Sequence, residues 1–248
     1  MKEFKITKKI IEVLYLIYRF RYLTSYQLQL LSHHKNHSRI IIWLTKLRTK
    51  NYISRKEDPL TKTHYYYLTK ESKETLWNLK GVNRRLLRRV YRDEKGKEVF
   101  VKHSLFISQI FFYFEKLTKD KIELSFYTET DLSKFKYLLR PLPDGYISMK
   151  GAKGEIKRYF LEVIDQSTPK YAKENLIKRY SDYSEDGSWE EATKFPFPDL
   201  FIICPNEYSL NNLNTYISED FDGDFSIFLT IKDKIKTGAG LEIWHEVK

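Results

Sequence analysis

Asp144 and Glu162 are the two residues of this chain whose type and spacing are best suited to chemistry. Asp144 comes just before a short apolar run at residues 146–149, and Glu162 lies inside a second run at 159–164. The segment between the runs contains two glycines, so the pattern predicts a β-hairpin that brings both acids to one place. Adjacent carboxylates are costly unless a cation neutralises them, and hard oxygen ligands suit magnesium or manganese. The hairpin therefore predicts a divalent-metal site formed by Asp144 and Glu162.

This layout resembles the core of the PD-(D/E)xK nucleases, with Pro143-Asp144 and Glu162-Val163-Ile164 in the motif positions. The resemblance implies a magnesium-dependent endonuclease. The alternative is that Asp144 caps a turn and that Glu162 pairs with a basic residue.

The chain departs from that motif at its third position, where Ile164 replaces the expected lysine. Without a lysine, the motif has no donor for the charge that builds up on an attacked phosphate. Strand alternation also places Ile164 on the same sheet face as Glu162, which makes that face drier. Three lysines of the next predicted helix are candidates for a displaced donor: Lys170, Lys173 and Lys178. We favour a degenerate site without nuclease activity.

The charge of the chain is distributed unevenly. Its 248 residues, enough for two modest domains, carry a net charge of +11. Residues 1–104 contain 25 Lys+Arg and 9 Asp+Glu, a net of +16, whereas residues 105–248 contain 19 and 24, a net of −5. A polyanion such as nucleic acid is therefore expected to bind the first half. The alternative is a generally basic, soluble surface.

Several classes of protein are disfavoured by the sequence. Cys204 is the only cysteine, which excludes a disulfide framework and a cysteine-based zinc site. The residues after Lys8 and Lys9 follow a helical pattern with no signal-peptide cleavage site. Because no apolar run is long enough to span a bilayer, we expect a cytoplasmic protein that does not enter a membrane.

The first half has the pattern of a winged helix-turn-helix. Helical spacing of apolar residues marks 5–20, Thr24 is suited to cap a second helix, and 38–50 forms a third. Two short strands follow, at 52–56 and 63–68. In such domains the third helix enters the major groove and the hairpin touches the DNA backbone or minor groove.

Candidate DNA contacts follow from that geometry. They lie on the third helix and on the hairpin: Ser38, Arg39, Trp43, Lys46, Arg55, Lys56 and Lys62. The alternative is that Trp43 belongs to the core and that the domain binds protein.

A basic segment follows the hairpin. Arg84, Arg88 and Arg92 recur at helical spacing and, in one helix, form a stripe that tracks phosphates. The alternative is that they pair with the acidic second half. A linker is predicted at 93–97. These features give a DNA-binding domain at 1–80, a basic connecting segment at 81–102 and a second domain at 103–248.

The second half has the predicted order helix, three strands, helix, strand. This is the core order of the nuclease-like fold. The predicted fold class is α+β, with an N-terminal winged helix-turn-helix followed by a restriction-endonuclease-like α/β domain.

The whole arrangement resembles the replication-relaxation family of plasmids and integrative elements. Beyond the winged helix up to Leu68 and the helix opened by His103, the resemblance is carried by three segments: R-P-L-P-D at 140–144, F-L-E-V-I-D-Q-S-T at 160–168 and F-P-F-P-D-L-F-I-I-C-P at 195–205. The family often has an acid directly after E-V, where this chain has Ile164 before Asp165.

Membership implies an accessory protein in replication or relaxation of plasmid DNA. Its partners are double-stranded DNA and a relaxase or replication initiator, with the second domain as a scaffold or homodimer platform. A winged-helix transcriptional regulator is a further hypothesis.

Overall fold

The computed structural model describes residues 5–118, 122–238 and 240–247. The chain divides into two compact units, Met1–Ser108 and Gln109–Lys248. Both this division and the predicted boundary at 102/103 fall within one helix, Glu98–Thr118. Residues 105–108 carry no charge, so the net charge of +16 belongs to the first unit.

The first unit is built from short helices and a small sheet. Its helices are α1 (Lys8–Phe20), α2 (Ser25–Leu31), α3 (His37–Thr49), α4 (Ser72–Leu76), α5 (Arg84–Leu87), a 3₁₀ helix (Val90–Lys95) and the start of α6 (Glu98–Thr118). Its strands are β1 (Leu23–Thr24), β2 (Ile53–Glu57) and β3 (His64–Leu68).

Three strands of the first unit pair in the order β1-β3-β2, all antiparallel. The predicted order of three helices followed by a hairpin is present. The two-residue strand β1 was not predicted, because it is too short to show an alternating pattern. Thr24 caps α2 as predicted: its hydroxyl accepts the Gln27 amide, and the Gln27 side chain accepts the Thr24 amide.

The third helix has one buried face. Ile40, Leu44 and Leu47 are buried at helical spacing and pack into the unit. Asn36 caps the helix by accepting the Arg39 amide. The cap fixes where α3 begins, and the buried stripe determines which of its residues face solvent.

Residues 93–97, predicted to be a linker, are instead partly folded onto the first unit. The carboxylate of Asp93 is buried and pairs with the Arg21 guanidinium, whose Nε lies 3.1 Å away. The Asp93 carbonyl accepts a hydrogen bond from the Tyr22 hydroxyl. A buried acid needs such a partner, and this pairing holds the 3₁₀ helix in place.

The second unit combines a larger sheet with several helices. Its helices are the rest of α6, then α7 (Glu129–Leu132), α8 (Lys170–Glu185), α9 (Ser188–Thr193), α10 (Glu207–Asp220), α11 (Lys232–Thr237) and a 3₁₀ helix (Leu241–Ile243). Its strands are β4 (Glu123–Thr128), β5 (Gly145–Lys150), β6 (Ile156–Val163), β7 (Asp199–Cys204), β8 (Ile227–Ile231) and β9 (His245–Glu246).

In the described part of this unit the sheet has six strands, in sequence order. Strands β4, β5 and β6 form an antiparallel meander, β7 and β8 run parallel to β6, and β9 is antiparallel. The parallel pairs require crossovers, which α8, α9 and α10 provide. The predicted order helix, three strands, helix, strand is therefore present. The 3₁₀ helix Leu241–Ile243 leads directly into β9.

Strand alternation gives the sheet two apolar faces. On one face Phe160, Ile202 and Leu229 pack with Tyr180 and other buried residues from α8 to α10. On the other face an aromatic stack forms around Phe201. Its ring lies 4.0 Å from Tyr159, 5.7 Å from Phe114 and 4.1 Å from Trp244, centroid to centroid. Among the described helices, none is both long and apolar enough to cross a membrane.

Candidate functional site

The predicted hairpin brings Asp144 and Glu162 to one end of the sheet. Gly145 pairs with Leu161, so Asp144, directly before β5, stands opposite Glu162. Both carboxylates influence the same neighbour on α8. Burial raises the pKa of Tyr180 well above its usual range, and the charges of Glu162 and then Asp144 raise it further. The two acids thus share one electrostatic environment.

Glu162 is buried and already has cationic and neutral donors. Its Oε1 accepts hydrogen bonds from Arg179 Nη2 at 2.8 Å and from the Tyr180 hydroxyl at 2.7 Å. Adjacent positions on α8 therefore supply both a charge and a neutral hydrogen bond to the carboxylate. This arrangement is the alternative weighed from the sequence, in which Glu162 pairs with a basic residue.

Asp144 is half-buried and binds backbone. Its Oδ2 accepts the Val163 amide at 2.7 Å, and its own carbonyl accepts the Glu129 amide at 3.0 Å. Asp144 therefore ties the end of β6 to the start of β5. This is a structural role for the carboxylate, close to the capping role considered from the sequence.

The three candidate lysines lie elsewhere on α8. Lys170 is 3.6 Å from the Glu174 carboxylate, Lys173 donates to the Ser209 hydroxyl at 3.0 Å, and Lys178 is exposed. The cation at Glu162 is Arg179, which was not among the residues predicted from the sequence. The sequence did indicate that some residue of the following helix would be this partner, because a buried glutamate needs a cation and that helix is the nearest source.

Ile164 is where the alternation predicted it to be. It is buried in the same apolar cluster as Phe160, Ile177 and Tyr180. The predicted placement of Ile164 on the apolar face that Phe160 and Tyr180 share is confirmed. A dry environment raises the cost of an unpaired carboxylate and so strengthens its demand for Arg179.

One oxygen of each carboxylate that a magnesium ion would use is already engaged by protein donors. Magnesium prefers six oxygen ligands in near-octahedral geometry. Here Glu162 Oε1 already accepts two hydrogen bonds and Asp144 Oδ2 accepts a backbone amide. In the part of the chain that the structure describes, no group of three or more His, Cys, Asp or Glu residues is placed to hold a metal.

We therefore expect that supercoiled plasmid incubated with the protein and magnesium or manganese will stay uncut. The motif donor is missing, and loss of one such donor typically slows a reaction by about 10²–10³. Duplex binding should survive Asp144→Ala. Agarose-gel analysis at moderate enzyme excess checks both. Nicking that disappears in both Asp144→Ala and Glu162→Ala would contradict the expectation, and would make Lys170, Lys173 and Lys178 the next residues to replace singly.

The outward face of α3 mixes cations with apolar side chains. Ser38, Arg39 and Lys46 are exposed, and Ile42 between them is 44% exposed. Trp43 is half-buried at the side of the helix, with its ring edge-on to His34 at 5.1 Å. The face offers charge, a hydroxyl and an apolar contact, which are the groups used to read a major groove.

The hairpin places its three candidate cations differently. Arg55 is exposed on β2, the Lys56 amine donates to the Glu94 carbonyl, and Lys62 lies 3.7 Å from the Glu57 carboxylate. Asp58 closes the tip, since its carboxylate accepts the amides of residues 60 and 61. The hairpin is therefore ordered by its own contacts, and Arg55 and Lys62 are its exposed predicted residues.

The basic segment does not form the single helix considered from its spacing. Helix α5 ends at Leu87, and Arg92 lies in the 3₁₀ helix that follows. Arg84 and Arg88 both lie over the Trp77 ring, each guanidinium carbon 5.2 Å from its centroid. The indole thus holds two guanidiniums by cation–π contact while they remain exposed. All three arginines are nevertheless exposed on the surface.

The fold and site define a mixed α+β protein, in which N-terminal helices and a small antiparallel sheet precede a six-stranded mixed sheet with helices. Residues 14–199 match the family model described as Replication-relaxation. Because the match spans most of the 248 residues, the chain belongs to the replication-relaxation family. Comparisons with curated proteins and with solved structures find no significant match.

Proposed function

We propose that this protein binds double-stranded DNA as an accessory factor in the replication or relaxation of plasmids or integrative elements. The observation that carries the proposal is the concentration of charge in the first unit, which has a net charge of +16 against −5 for the rest of the chain. Such a field attracts and holds a polyanion through release of its counterions. Family membership supports the biological setting.

In this proposal the first unit acts as a winged helix-turn-helix. Support comes from the order of helices, from the β1-β3-β2 sheet and from the outward face of α3. Helix α3 enters the major groove, where Arg39 and Lys46 contact bases or phosphates. The hairpin, through Arg55, and the basic segment contact the flanking backbone.

The second unit serves as a scaffold in the same proposal. Its carboxylates hold the sheet end and α8 together through Val163, Arg179 and Tyr180, which favours a structural use of the motif. Its net negative charge makes it a poor duplex-binding surface as a whole. It is the part of the chain we assign to contact with a relaxase, a replication initiator or a second copy of the chain.

The double substitution Arg39→Ala with Lys46→Ala tests the role of α3. We expect weaker duplex binding, by about 1–3 kcal/mol for each base that is no longer recognised. If the two residues touch phosphate instead, the dependence of affinity on salt becomes shallower. Gel-shift titrations at two salt concentrations measure both effects.

The matched control replaces two exposed lysines of the second unit, Lys153→Ala with Lys178→Ala, which removes the same charge elsewhere. Binding that is equally strong in the α3 variant, the control and the wild type would exclude α3 as the reading element.

A further inference from the structure

The second unit contains an aromatic pocket that the proposed duplex binding does not use. Its cavity of about 270 Å³ lies on the α9 side of the sheet, close to the lower end of the size range of ligand pockets. Six aromatic side chains from strands β4 and β5, helix α9 and two loops line it: Tyr127, Phe135, Tyr137, Tyr146, Trp189 and Phe195.

The walls of this aromatic pocket are fixed by their own contacts. Tyr146 lies 5.9 Å from Tyr127 and 5.5 Å from Trp189, centroid to centroid. The Trp189 indole N–H donates to the Pro196 carbonyl at 2.9 Å. The Tyr137 ring stands 6.2 Å from Trp189, nearly edge-on. The pocket is thus preformed, so a ligand does not have to order it.

Cations touch the residues that line the pocket. Lys134 Nζ is 5.1 Å from the Phe135 ring centroid, Arg140 Nη2 donates to the Phe135 carbonyl at 3.2 Å, and the Arg158 guanidinium carbon is 3.9 Å from the Phe195 ring centroid. Lys134 and Arg140 are exposed. Residues that line the apolar pocket are therefore in contact with positive charge.

Acids also lie on the elements that line the pocket. Asp131 is buried and accepts hydrogen bonds from the amide and hydroxyl of Thr128. Glu190 Oε2 is also buried. Glu129 and Glu191 are exposed on α7 and α9. Three cations contact residues that line the pocket, and they are the charges that would attract an anionic ligand.

We propose that this pocket binds an unpaired nucleobase of single-stranded nucleic acid, with the adjoining phosphates on Lys134, Arg140 and Arg158. Aromatic rings that stack bases beside a basic track are the usual design of single-strand sites. An apolar peptide could pack against the aromatic rings, but it would make no use of the three cations that contact the lining residues. The site lies in the second unit and does not depend on duplex binding by the first.

The test uses the full chain and fluorescence anisotropy with a short oligothymidine, compared with an abasic chain of equal length. We expect tighter binding of the oligothymidine. Phe195→Ala, at a position 46% exposed, should weaken this binding roughly 5- to 150-fold, the range for loss of one stacked base. The control Tyr208→Ala removes an aromatic ring that is 75% exposed on α10, outside the pocket, and should change nothing.

Lys134→Glu with Arg140→Glu tests these two cations while leaving all six aromatic side chains of the pocket in place. This double variant should bind the oligothymidine more weakly and bind duplex DNA with unchanged affinity. Equal affinity for the oligothymidine and the abasic chain, or no effect of Phe195→Ala, would overturn the proposal. Binding of a proline- and aromatic-rich peptide in place of the oligothymidine would overturn it as well. The proposed duplex function is tested separately. If it is wrong, the wild-type protein will not bind duplex DNA but will still bind the oligothymidine.

Discussion

Arg179→Met is expected to lower the free energy of unfolding by about 3 kcal/mol. Glu162 is 7% exposed, and Arg179 is the cation beside it, at 2.8 Å. Removing one partner of a buried ion pair costs about 3–5 kcal/mol, because the remaining charge stays buried without compensation. We expect the lower end because a quarter of the Arg179 side chain is exposed, at 25%, and because Tyr180 still donates to Glu162.

Urea denaturation of three variants checks this expectation. Lys178→Met removes a neighbouring, exposed charge on the same helix and should have little effect. Adding Glu162→Gln to Arg179→Met removes the buried charge that Arg179 no longer neutralises and should recover part of the stability, which a double-mutant cycle quantifies. If Arg179→Met were no more destabilising than Lys178→Met, the ion pair would not be what holds α8 at this end of the sheet.

Local sequence patterns predicted the parts of the site that depend on local structure. Two apolar runs around a glycine-containing loop predicted the β5–β6 hairpin, and its register does place Asp144 opposite Glu162. The helical spacing of apolar residues over 38–50 likewise predicted α3, and its predicted contacts Arg39 and Lys46 are exposed. In both cases neighbours in sequence determine the geometry.

Contacts between segments that are distant in sequence could not be predicted from local sequence patterns. The partner of Glu162 depends on how α8 rotates over the sheet, so Arg179 was not distinguishable from the lysines around it. Asp93 lies in a charged, glycine-containing stretch typical of a linker, and only Arg21, 72 residues earlier, explains its burial. The aromatic pocket combines residues from separate strands, a helix and loops, and no single segment indicates it.

Replacing Arg84, Arg88 and Arg92 with Gln is expected to have the largest effect on duplex binding. Each neutralised phosphate contributes about 0.9 to the slope of log K against log[salt], so removing all three cations reduces the slope by up to about 2.7. Trp77 holds Arg84 and Arg88 on the surface, which lowers the cost of ordering them at a phosphate. If these arginines instead stabilise the fold, the slope will stay the same and the melting temperature will fall.

Duplex affinity measured over a series of salt concentrations tests the central claim, DNA binding by the basic first unit, most directly. The control replaces three exposed lysines of the second unit with Gln: Lys153, Lys170 and Lys178. We predict a steep slope for the wild type, the same slope for the control, and a clearly shallower one for the arginine variant. A wild type without salt-dependent duplex binding, or an arginine variant with the wild-type slope and affinity, would contradict it.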